Sequence, residues 1–146
     1  MTQNSSQSAT HTVLIADDNR DTVGTLSALL RMDDRHVIEA RCGAEALEQG
    51  QQWHPRVLVL DIGMPRLDGY EVARRVRREP WGHQAILIAH SGWCRLEDRQ
   101  RAVAAGFDYH VTKPIDPDAL LELLPSNNAP QKECSIQRAA LCIKSP

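Results

Sequence analysis

The sequence predicts an α/β domain in which a parallel sheet is covered by helices on both faces. Short apolar runs alternate with longer stretches of helical periodicity between about residue 12 and residue 124, a pattern typical of consecutive βαβ units. The chain has 146 residues, a length that suits one domain. Hydrophobic residues make up 42% of the chain but aromatic residues only 4%, so the core must consist mainly of Leu, Val, Ile and Ala.

Five apolar runs are predicted to form the strands. They comprise residues 13–16, 36–40, 57–60, 85–89 and 109–111. The third run is apolar without a break, which is typical of a strand buried on both faces of a parallel sheet.

Five helices are predicted to follow these strands. Residues 44–48 are strong helix formers and predict the second helix, and the fourth covers residues 97–105. The other three are predicted from apolar positions at helical spacing. These positions are Val23, Leu26, Leu29 and Leu30, then Val72, Ala73 and Val76, and finally Leu120, Leu121, Leu123 and Leu124.

Glycine, proline and one aspartate set the predicted helix boundaries. Gly50 is predicted to end the second helix and the third ends near Pro80, because both residue types disfavour helix interiors. Gly106 suits a left-handed C-cap of the fourth helix. Asp116 and Pro117 predict the start of the fifth, with a carboxylate at the N-cap and proline at the first helical position. Right-handed crossovers then leave few topologies, of which the Rossmann and the flavodoxin-like strand orders both stay open.

Both ends of the chain fall outside the predicted domain, which covers residues 12–124. Residues 1–11 form a Ser/Thr/Gln-rich segment that we expect to be disordered. Residues 125–146 are expected to be a linker and a disordered tail, because a short isolated helix is marginal in water. The alternative is a helix that docks on a partner through an apolar stripe. That stripe comprises Ile136, Ala139, Ala140, Leu141 and Ile143.

Charge and hydropathy disfavour several classes of protein. Lys and Arg number 17 against 19 Asp and Glu, which gives a net charge of −2 and a pI near 6.3, so we expect no direct nucleic-acid partner. The longest apolar runs have four or five residues, far short of a membrane span, and the first residues do not resemble a secretory signal. We therefore expect no membrane partner and a cytoplasmic location.

The four cysteines form no CxxC pair and are expected to be plain thiols.

Polar residues follow four of the five predicted strands. The sets are Asp17-Asp18-Asn19, Asp61-Ile62-Gly63, His90-Ser91-Gly92 and Thr112-Lys113-Pro114. Because ligands bind beyond the carboxyl ends of the strands in open parallel sheets, these sets should converge on one edge.

Three carboxylates at that edge would repel one another. Two unit charges about 4 Å apart repel by about 4 kcal/mol at an effective dielectric near 20, so the cluster needs a positive partner. A hard divalent cation with oxygen ligands, Mg²⁺, meets that need better than the single amine of Lys113. The alternative is that Asp17 and Asp18 simply cap the first helix, although one carboxylate suffices for a cap.

A combination of motifs runs through the same positions. It comprises Asp17-Asp18, Asp61 within the run DIGMPRLDGYEV, a His-Ser-Gly run and Lys113-Pro114. Separations of 44, 30 and 22 residues lie between Asp17, Asp61, Ser91 and Lys113. This combination resembles the receiver domain of two-component response regulators, over residues 12 to about 124. The resemblance implies a flavodoxin-like (βα)5 doubly wound parallel sheet with strand order 2-1-3-4-5, and a cis peptide between Lys113 and Pro114.

The resemblance also implies a role for each residue of the cluster. Asp61 would accept a phosphoryl group, and Asp18 and Asp61 would bind Mg²⁺ directly. Asp17 would act on the ion mainly through bound water, and the main-chain carbonyl of Gly63 would complete the protein ligands. Lys113 would pair with Asp61 and then with the phosphoryl group.

Four residues would govern switching and lifetime. The Ser91 hydroxyl would move to bond a phosphoryl oxygen. His110 occupies the position of an aromatic side chain that usually rotates inward on activation, so we expect it to be the switch residue. The alternative for His110 is a half-buried strand histidine packed on the fourth helix. Gly63 and Trp93 are expected to tune the lifetime of the phosphoryl group, with the Trp93 indole shielding it from water or, alternatively, forming part of a docking face.

The predicted function is a phosphorelay receiver. It would take a phosphoryl group from a histidine kinase or a histidine phosphotransfer protein and control a protein partner that the sequence does not identify. It would catalyse only its own phosphorylation and dephosphorylation, and so would not be an enzyme in the usual sense. The expected state is a monomer that could dimerise on phosphorylation. The chain fits either a stand-alone receiver or the receiver of a hybrid histidine kinase.

An Mg²⁺-dependent phosphatase of the haloacid-dehalogenase type is the alternative function. Such enzymes also use an aspartate nucleophile at the end of a strand, but they need a second aspartate two residues later, where this chain has Gly63. Dinucleotide-binding and P-loop enzymes are disfavoured because neither of their glycine-rich motifs occurs.

Overall fold

A computed structural model describes residues 12–92, 95–124 and 142–143. The strands are β1 (Thr12–Ala16), β2 (His36–Ala40), β3 (Val57–Asp61), β4 (Ile86–Ser91), β5 (Tyr109–Thr112) and β6 (Cys142–Ile143). The α-helices are α1 (Arg20–Met32), α2 (Gly43–Trp53), α3 (Gly69–Arg78), α4 (Leu96–Ala105) and α5 (Pro117–Leu123), and a 3₁₀ turn covers Pro80–Gly82. Strands β1 to β5 alternate with the helices as the sequence predicts.

The strands lie in one parallel sheet in the order β2-β1-β3-β4-β5-β6. The first five confirm the predicted order 2-1-3-4-5, so the flavodoxin-like order is the one that the chain adopts. β6 adds two residues beyond β5, within the segment for which the sequence predicts a disordered tail. The rest of that tail and residues 1–11 lie outside the described residues, so the predictions for them stay predictions.

Two apolar clusters hold helices on opposite faces of the sheet. Alternate side chains of a strand point to opposite faces, and Leu58 and Leu87 accordingly pack on the face covered by α2, α3 and α4. Val59 and Ile88, one residue further along, pack on the face covered by α1 and α5. Each such side chain contributes about 1.5–3 kcal/mol on burial, which fixes the strand ends in place.

Helix α2 is longer than the sequence predicts. It continues past Gly50 to Trp53, and His54 caps it in a left-handed conformation with φ 47°. A Cβ at Gly50 would lie 2.9 Å from an atom of the Trp81 ring. The prediction that Gly50 ends the helix was therefore wrong, because this glycine makes room for an indole and does not break the helix.

The other helix boundaries agree with the sequence. Helix α3 ends at Arg78, just before Pro80, and Gly106 caps α4 with φ 105°. Asp116 caps α5, and its Oδ1 accepts a hydrogen bond from the Asp118 N–H at 3.4 Å. None of the helices in the described part of the chain is long and apolar enough to cross a membrane.

Arg77 of α3 ties the helix to segments that are distant in sequence. Its guanidinium donates hydrogen bonds to the main-chain oxygens of Gly82, Ala85 and Gly106 at 2.8, 2.7 and 2.9 Å. It also pairs with the Asp108 carboxylate at 2.9 Å. One side chain thus joins the C-terminal end of α3 to the segments that precede β4 and β5.

Candidate functional site

The carboxyl ends of four strands meet at one edge of the sheet, as the sequence predicts. Asp61 ends β3 and Ser91 ends β4, whereas Asp17 and Lys113 directly follow β1 and β5. In the register of the sheet, Asp61 lies opposite His90. Side chains from segments almost one hundred residues apart are thereby brought together.

Helix α1 is capped by Asn19 and by neither of the aspartates before it. Asn19 Oδ1 accepts hydrogen bonds from the N–H groups of Asp21 and Thr22 at 2.9 and 3.3 Å. Asp17 Oδ1 accepts a hydrogen bond from the Asn19 N–H at 2.9 Å. The capping alternative for Asp17 and Asp18 is therefore wrong, and both carboxylates are available to the cluster.

Asp17, Asp18 and Asp61 form one acidic cluster. One oxygen from each of the three lies within 4.8 Å of the others. Asp17 and Asp61 are buried, with 1% and 4% of their surface exposed, whereas Asp18 is exposed. Like charges this close repel one another strongly where water is partly excluded.

Lys113 places one positive charge against the acidic cluster. Its Nζ lies 3.1 Å from Asp61 Oδ1 and 3.6 Å from Asp17 Oδ2. Burial alone would lower the pKa of the Lys113 amine, but the hydrogen bond and charge of Asp61, with a smaller contribution from Asp17, raise this pKa overall. The amine is therefore held in its charged form. The Lys113–Pro114 peptide is cis, as the resemblance implies.

The surroundings of Asp17 compensate its negative charge only in part. Burial is the main cause that raises its pKa to about 6; the Asn19 N–H opposes this rise and the charge of Asp61 adds to it. The Asp17 Oδ2 atom is buried and has no hydrogen-bond partner among the residues described. A bound cation would supply what this oxygen lacks.

His90 is a neighbour of the cluster to which sequence reasoning gave no role. Only 2% of its surface is exposed, and its Nδ1 lies 3.7 Å from Asp17 Oδ2. Burial is the main cause that lowers its pKa to about 4, and the charge of Lys113 adds to the effect, so the imidazole is neutral at pH 7. The signal in the sequence was a histidine at the end of an apolar run.

The cluster fits a hard divalent cation such as Mg²⁺. Mg²⁺ takes oxygen ligands, usually one or two carboxylates together with water and phosphate oxygens. Three clustered carboxylates face one lysine amine, and one of their buried oxygens lacks a hydrogen-bond partner in the described structure. Gly63 lies beside the cluster, where its N–H donates a hydrogen bond to Asp61 Oδ1 at 3.2 Å.

Ser91 and His110 are paired across neighbouring strands. A hydrogen bond of 2.8 Å joins Ser91 Oγ to His110 Nε2. His110 lies in β5, as the strand alternative expected, but it is fully buried and not half-buried. The main-chain N–H of Lys113 also donates to the Ser91 carbonyl oxygen at 2.7 Å. Ser91 is thus held to β5 and to the residue that follows it.

Close packing of the main chain positions the loop after β3. A Cβ at Gly69 would lie 2.7 Å from the carbonyl oxygen of Asp61, so α3 can begin against the end of β3 only with glycine there. The Gly69 N–H donates to the Ile62 carbonyl oxygen at 3.2 Å. Trp93 lies in the gap at residues 93–94 and thus outside the described residues, so its role stays a prediction.

Comparisons with known proteins agree on one family. The sequence profile of the response regulator receiver domain matches residues 13–125. An uncharacterised 14.6 kDa protein encoded in the sodA1 3' region of Leptolyngbya boryana is 38% identical over 112 residues, which cover 77% of this chain and 86% of that protein. Protein PilG of Pseudomonas aeruginosa is 31% identical over 109 residues, covering 75% of this chain and 81% of PilG.

Solved structures give the same result. The chemotaxis protein CheY4 of Vibrio cholerae is similar with a TM-score of 0.75 and 27% identity, over 79% of this chain and 96% of that protein. The region matched by the family profile contains all the residues of the acidic cluster, Lys113 and the Ser91–His110 pair.

Proposed function

The chain belongs to the response regulator receiver family, and we propose that it takes part in two-component signalling by accepting a phosphoryl group on Asp61. The observation that carries this proposal is the surroundings of Asp61. This carboxylate is buried at the end of β3, lies in one cluster with two further aspartates, and contacts the amine of Lys113. A preorganised charged pocket of this kind can stabilise the transfer of a phosphoryl group.

In the proposed transfer, an oxygen of the Asp61 carboxylate attacks the phosphorus of a phosphohistidine. An O–P bond forms and gives an acyl phosphate, while the N–P bond of the donor breaks. The released imidazole nitrogen keeps the electron pair and takes up a proton from water. Lys113 would neutralise phosphoryl oxygens, a role supported by the 3.1 Å distance between its amine and Asp61 Oδ1.

Four residues would hold Mg²⁺ at this site. Asp18 and Asp61 would bind the ion directly, Asp17 would act mainly through water, and the Gly63 carbonyl would complete the protein ligands. The bound ion would offset the charge of the phosphoryl oxygens, so that a carboxylate can approach an anion. Two observations support this assignment: the pKa of Asp17 is raised, and its buried Oδ2 lacks a hydrogen-bond partner among the described residues.

Ser91 and His110 would change conformation when Asp61 is phosphorylated, and so act as the switch residues. A hydrogen bond already joins the Ser91 hydroxyl to His110 Nε2, so a hydroxyl that moves toward a phosphoryl oxygen would leave the histidine. One such hydrogen bond is worth about 1 kcal/mol, whereas moving an equilibrium from 1:99 to 99:1 takes about 5.5 kcal/mol. Rearrangement of the surrounding loops must therefore contribute to the switch.

The donor in this proposal is a histidine kinase or a histidine phosphotransfer protein, and the output is a protein partner. Receiver domains are signalling domains and not enzymes in the usual sense; we propose that this one catalyses only its own phosphorylation and dephosphorylation. The phosphatase alternative finds no support, because the comparisons match receivers and Gly63 offers no second carboxylate.

Intact-mass spectrometry of the full chain tests the proposal. With Mg²⁺ and acetyl phosphate, we expect the wild type to gain one phosphoryl group and Asp61→Asn to gain none. Asp34→Asn is the matched control, since Asp34 is exposed before β2 and its positive φ of 61° suits asparagine. A wild type that gains no phosphoryl group, or an Asp61→Asn variant that still gains one, would contradict the proposal.

A further inference from the structure

The outer edge of β5 is occupied by this chain's own residues. β5 pairs with β4 on one side and with β6 on the other, in the parallel register His110↔Cys142 and Val111↔Ile143. An edge strand exposes main-chain N–H and C=O groups and is a ready template for an added strand. Without β6, β5 would be such an edge.

The pairing of β6 with β5 is short. Two residues of β6 cover the middle of a four-residue strand. The few main-chain hydrogen bonds that two residues can form contribute little net stability, and this gain is set against the cost of closing the chain across the 17 residues between Leu124 and Cys142. A strand held in this way can be displaced at low cost.

The register places β6 beside His110, the residue that is hydrogen-bonded to Ser91 of the candidate site. His110, the register partner of Cys142, bonds Ser91 Oγ through its Nε2 at 2.8 Å. At the end of β5, the Lys113 N–H donates to the Ser91 carbonyl oxygen at 2.7 Å. A change at Ser91 therefore reaches the strand on which β6 docks through two hydrogen bonds.

We propose that the outer edge of β5 is a strand-docking surface whose occupant is this chain's own Cys142–Ile143 segment, and that the state of Asp61 controls its occupancy through Ser91 and His110. With β6 in place, the edge is closed to an extended segment of another protein. When Ser91 turns toward a phosphoryl oxygen, His110 loses its hydrogen bond to Ser91 and the affinity of β5 for β6 changes. The control by Asp61 rests on the proposed function, whereas the docking of β6 does not.

Residue-resolved amide hydrogen exchange by NMR on the full chain tests the docking. A Cys142→Pro/Ile143→Pro variant removes both N–H donors of β6, and Cys142→Ser/Ile143→Val keeps them as the matched control. We expect the β5 amides that point away from β4 to exchange about tenfold faster in the proline variant, and within about twofold of wild type in the control. Equal exchange in the proline variant would overturn the proposal. Protection that rises with protein concentration would also overturn it, because the occupant would then be a second copy.

The coupling to the site is tested with His110→Phe, which keeps an aromatic ring and loses the bond to Ser91. In EDTA, without phosphorylation, we expect the exchange rates of the same β5 amides to change by about threefold or more. If the coupling exists, the proline variant should also change the steady-state fraction of phosphorylated Asp61 in acetyl phosphate. An unchanged exchange rate in His110→Phe would overturn the coupling.

Intact-mass measurements on the same samples detect phosphorylation directly. A chain that is never phosphorylated would refute the proposed function, whereas the exchange rates would still decide whether β6 docks on β5.

Discussion

The amine of Lys113 lies 3.1 Å from Oδ1 of Asp61 and is the nearest positive charge to this carboxylate among the described ion pairs. Replacing Lys113 with methionine removes that charge and keeps an unbranched apolar stem. We expect phosphorylation by acetyl phosphate to slow by about tenfold or more, because the charge no longer stabilises the phosphoryl oxygens. In EDTA at pH 7, the free energy of unfolding should fall by only about 1 kcal/mol, since 32% of the lysine side chain is exposed to screening solvent.

Intact-mass time courses and urea denaturation measure these two effects. Lys132→Met makes the same change of charge at another lysine of the chain and serves as the control. A Lys113→Met variant that is phosphorylated as fast as the wild type would contradict the neutralising role of Lys113.

Replacing Asp17 with asparagine should stabilise the metal-free protein. Burial raises the pKa of Asp17 to about 6, so its charged form at pH 7 destabilises the folded state. We expect Asp17→Asn to raise the free energy of unfolding in EDTA by about 1 kcal/mol, an example of stability given up for function. Saturating Mg²⁺ should raise Tm in the wild type and much less in the variant. Thermal denaturation with and without Mg²⁺ measures both effects, with Asp34→Asn as control; a variant less stable than wild type in EDTA would refute the argument.

The dependence of stability on pH should differ in sign between two neighbours. Asp17 has its pKa raised from 3.8 to about 6 in the folded state, so its contribution is full below pH 3.8 and is lost as pH rises through 6. His90 has its pKa lowered from 6.5 to about 4, so its contribution is full above pH 6.5 and is lost as pH falls toward 4. In metal-free wild type, the two contributions oppose each other between pH 4 and pH 6.5.

Variants of each residue separate the two contributions. Relative to wild type, Asp17→Asn should gain stability as pH rises from 4 to 6.5, and His90→Gln should lose stability over the same range. Urea denaturation in EDTA at several pH values measures both differences, in which the other titrating groups cancel. Two differences that slope in the same direction would show that one of the two assignments is wrong.

The sequence allows one to predict that the charged residues of the site lie close together, because their positions depend on local patterns and on one geometric rule. Apolar runs place Asp17, Asp61 and Lys113 at strand ends, and the ends of parallel strands share one edge of the sheet. No knowledge of side-chain packing was needed. The N-cap residue of α1 was harder to predict. Asp17, Asp18 and Asn19 are all good capping residues, and only the path of the main chain decides which of them caps the helix.

The features that sequence reasoning missed depend on contacts between distant segments. From the local sequence alone, Gly50 is predicted to break helix α2. Only the Trp81 ring packed against Gly50 explains why a glycine stands inside a helix that continues past it. His90 lies beside Asp17 because β4 and β1 flank β3 in the sheet. β6 consists of two residues, too few for a pattern of alternating polarity to be recognised.

Trp93 is proposed to shield the acyl phosphate from water. If it does, Trp93→Ala should shorten the half-life of phosphorylated Asp61 by about threefold or more, because hydrolysis needs access for water. Intact-mass measurements after removal of acetyl phosphate give that half-life. Trp53→Ala removes a half-exposed tryptophan at the end of α2 and should leave the half-life unchanged. A Trp93→Ala half-life equal to that of the wild type would show that the indole does not shield the acyl phosphate.

Arg77 should be far more important for stability than its neighbour Arg78, although both end the same helix. Arg77 donates to four main-chain oxygens and to Asp108, and a lysine amine cannot reach all five acceptors at once. We expect Arg77→Lys to lower the free energy of unfolding by about 3 kcal/mol, because polar groups that are largely buried lose their donors. Arg78 is exposed, and Arg78→Lys should change it by less than about 0.5 kcal/mol. Urea denaturation of the two variants gives the comparison directly; equal stabilities would mean that water replaces the guanidinium at little cost.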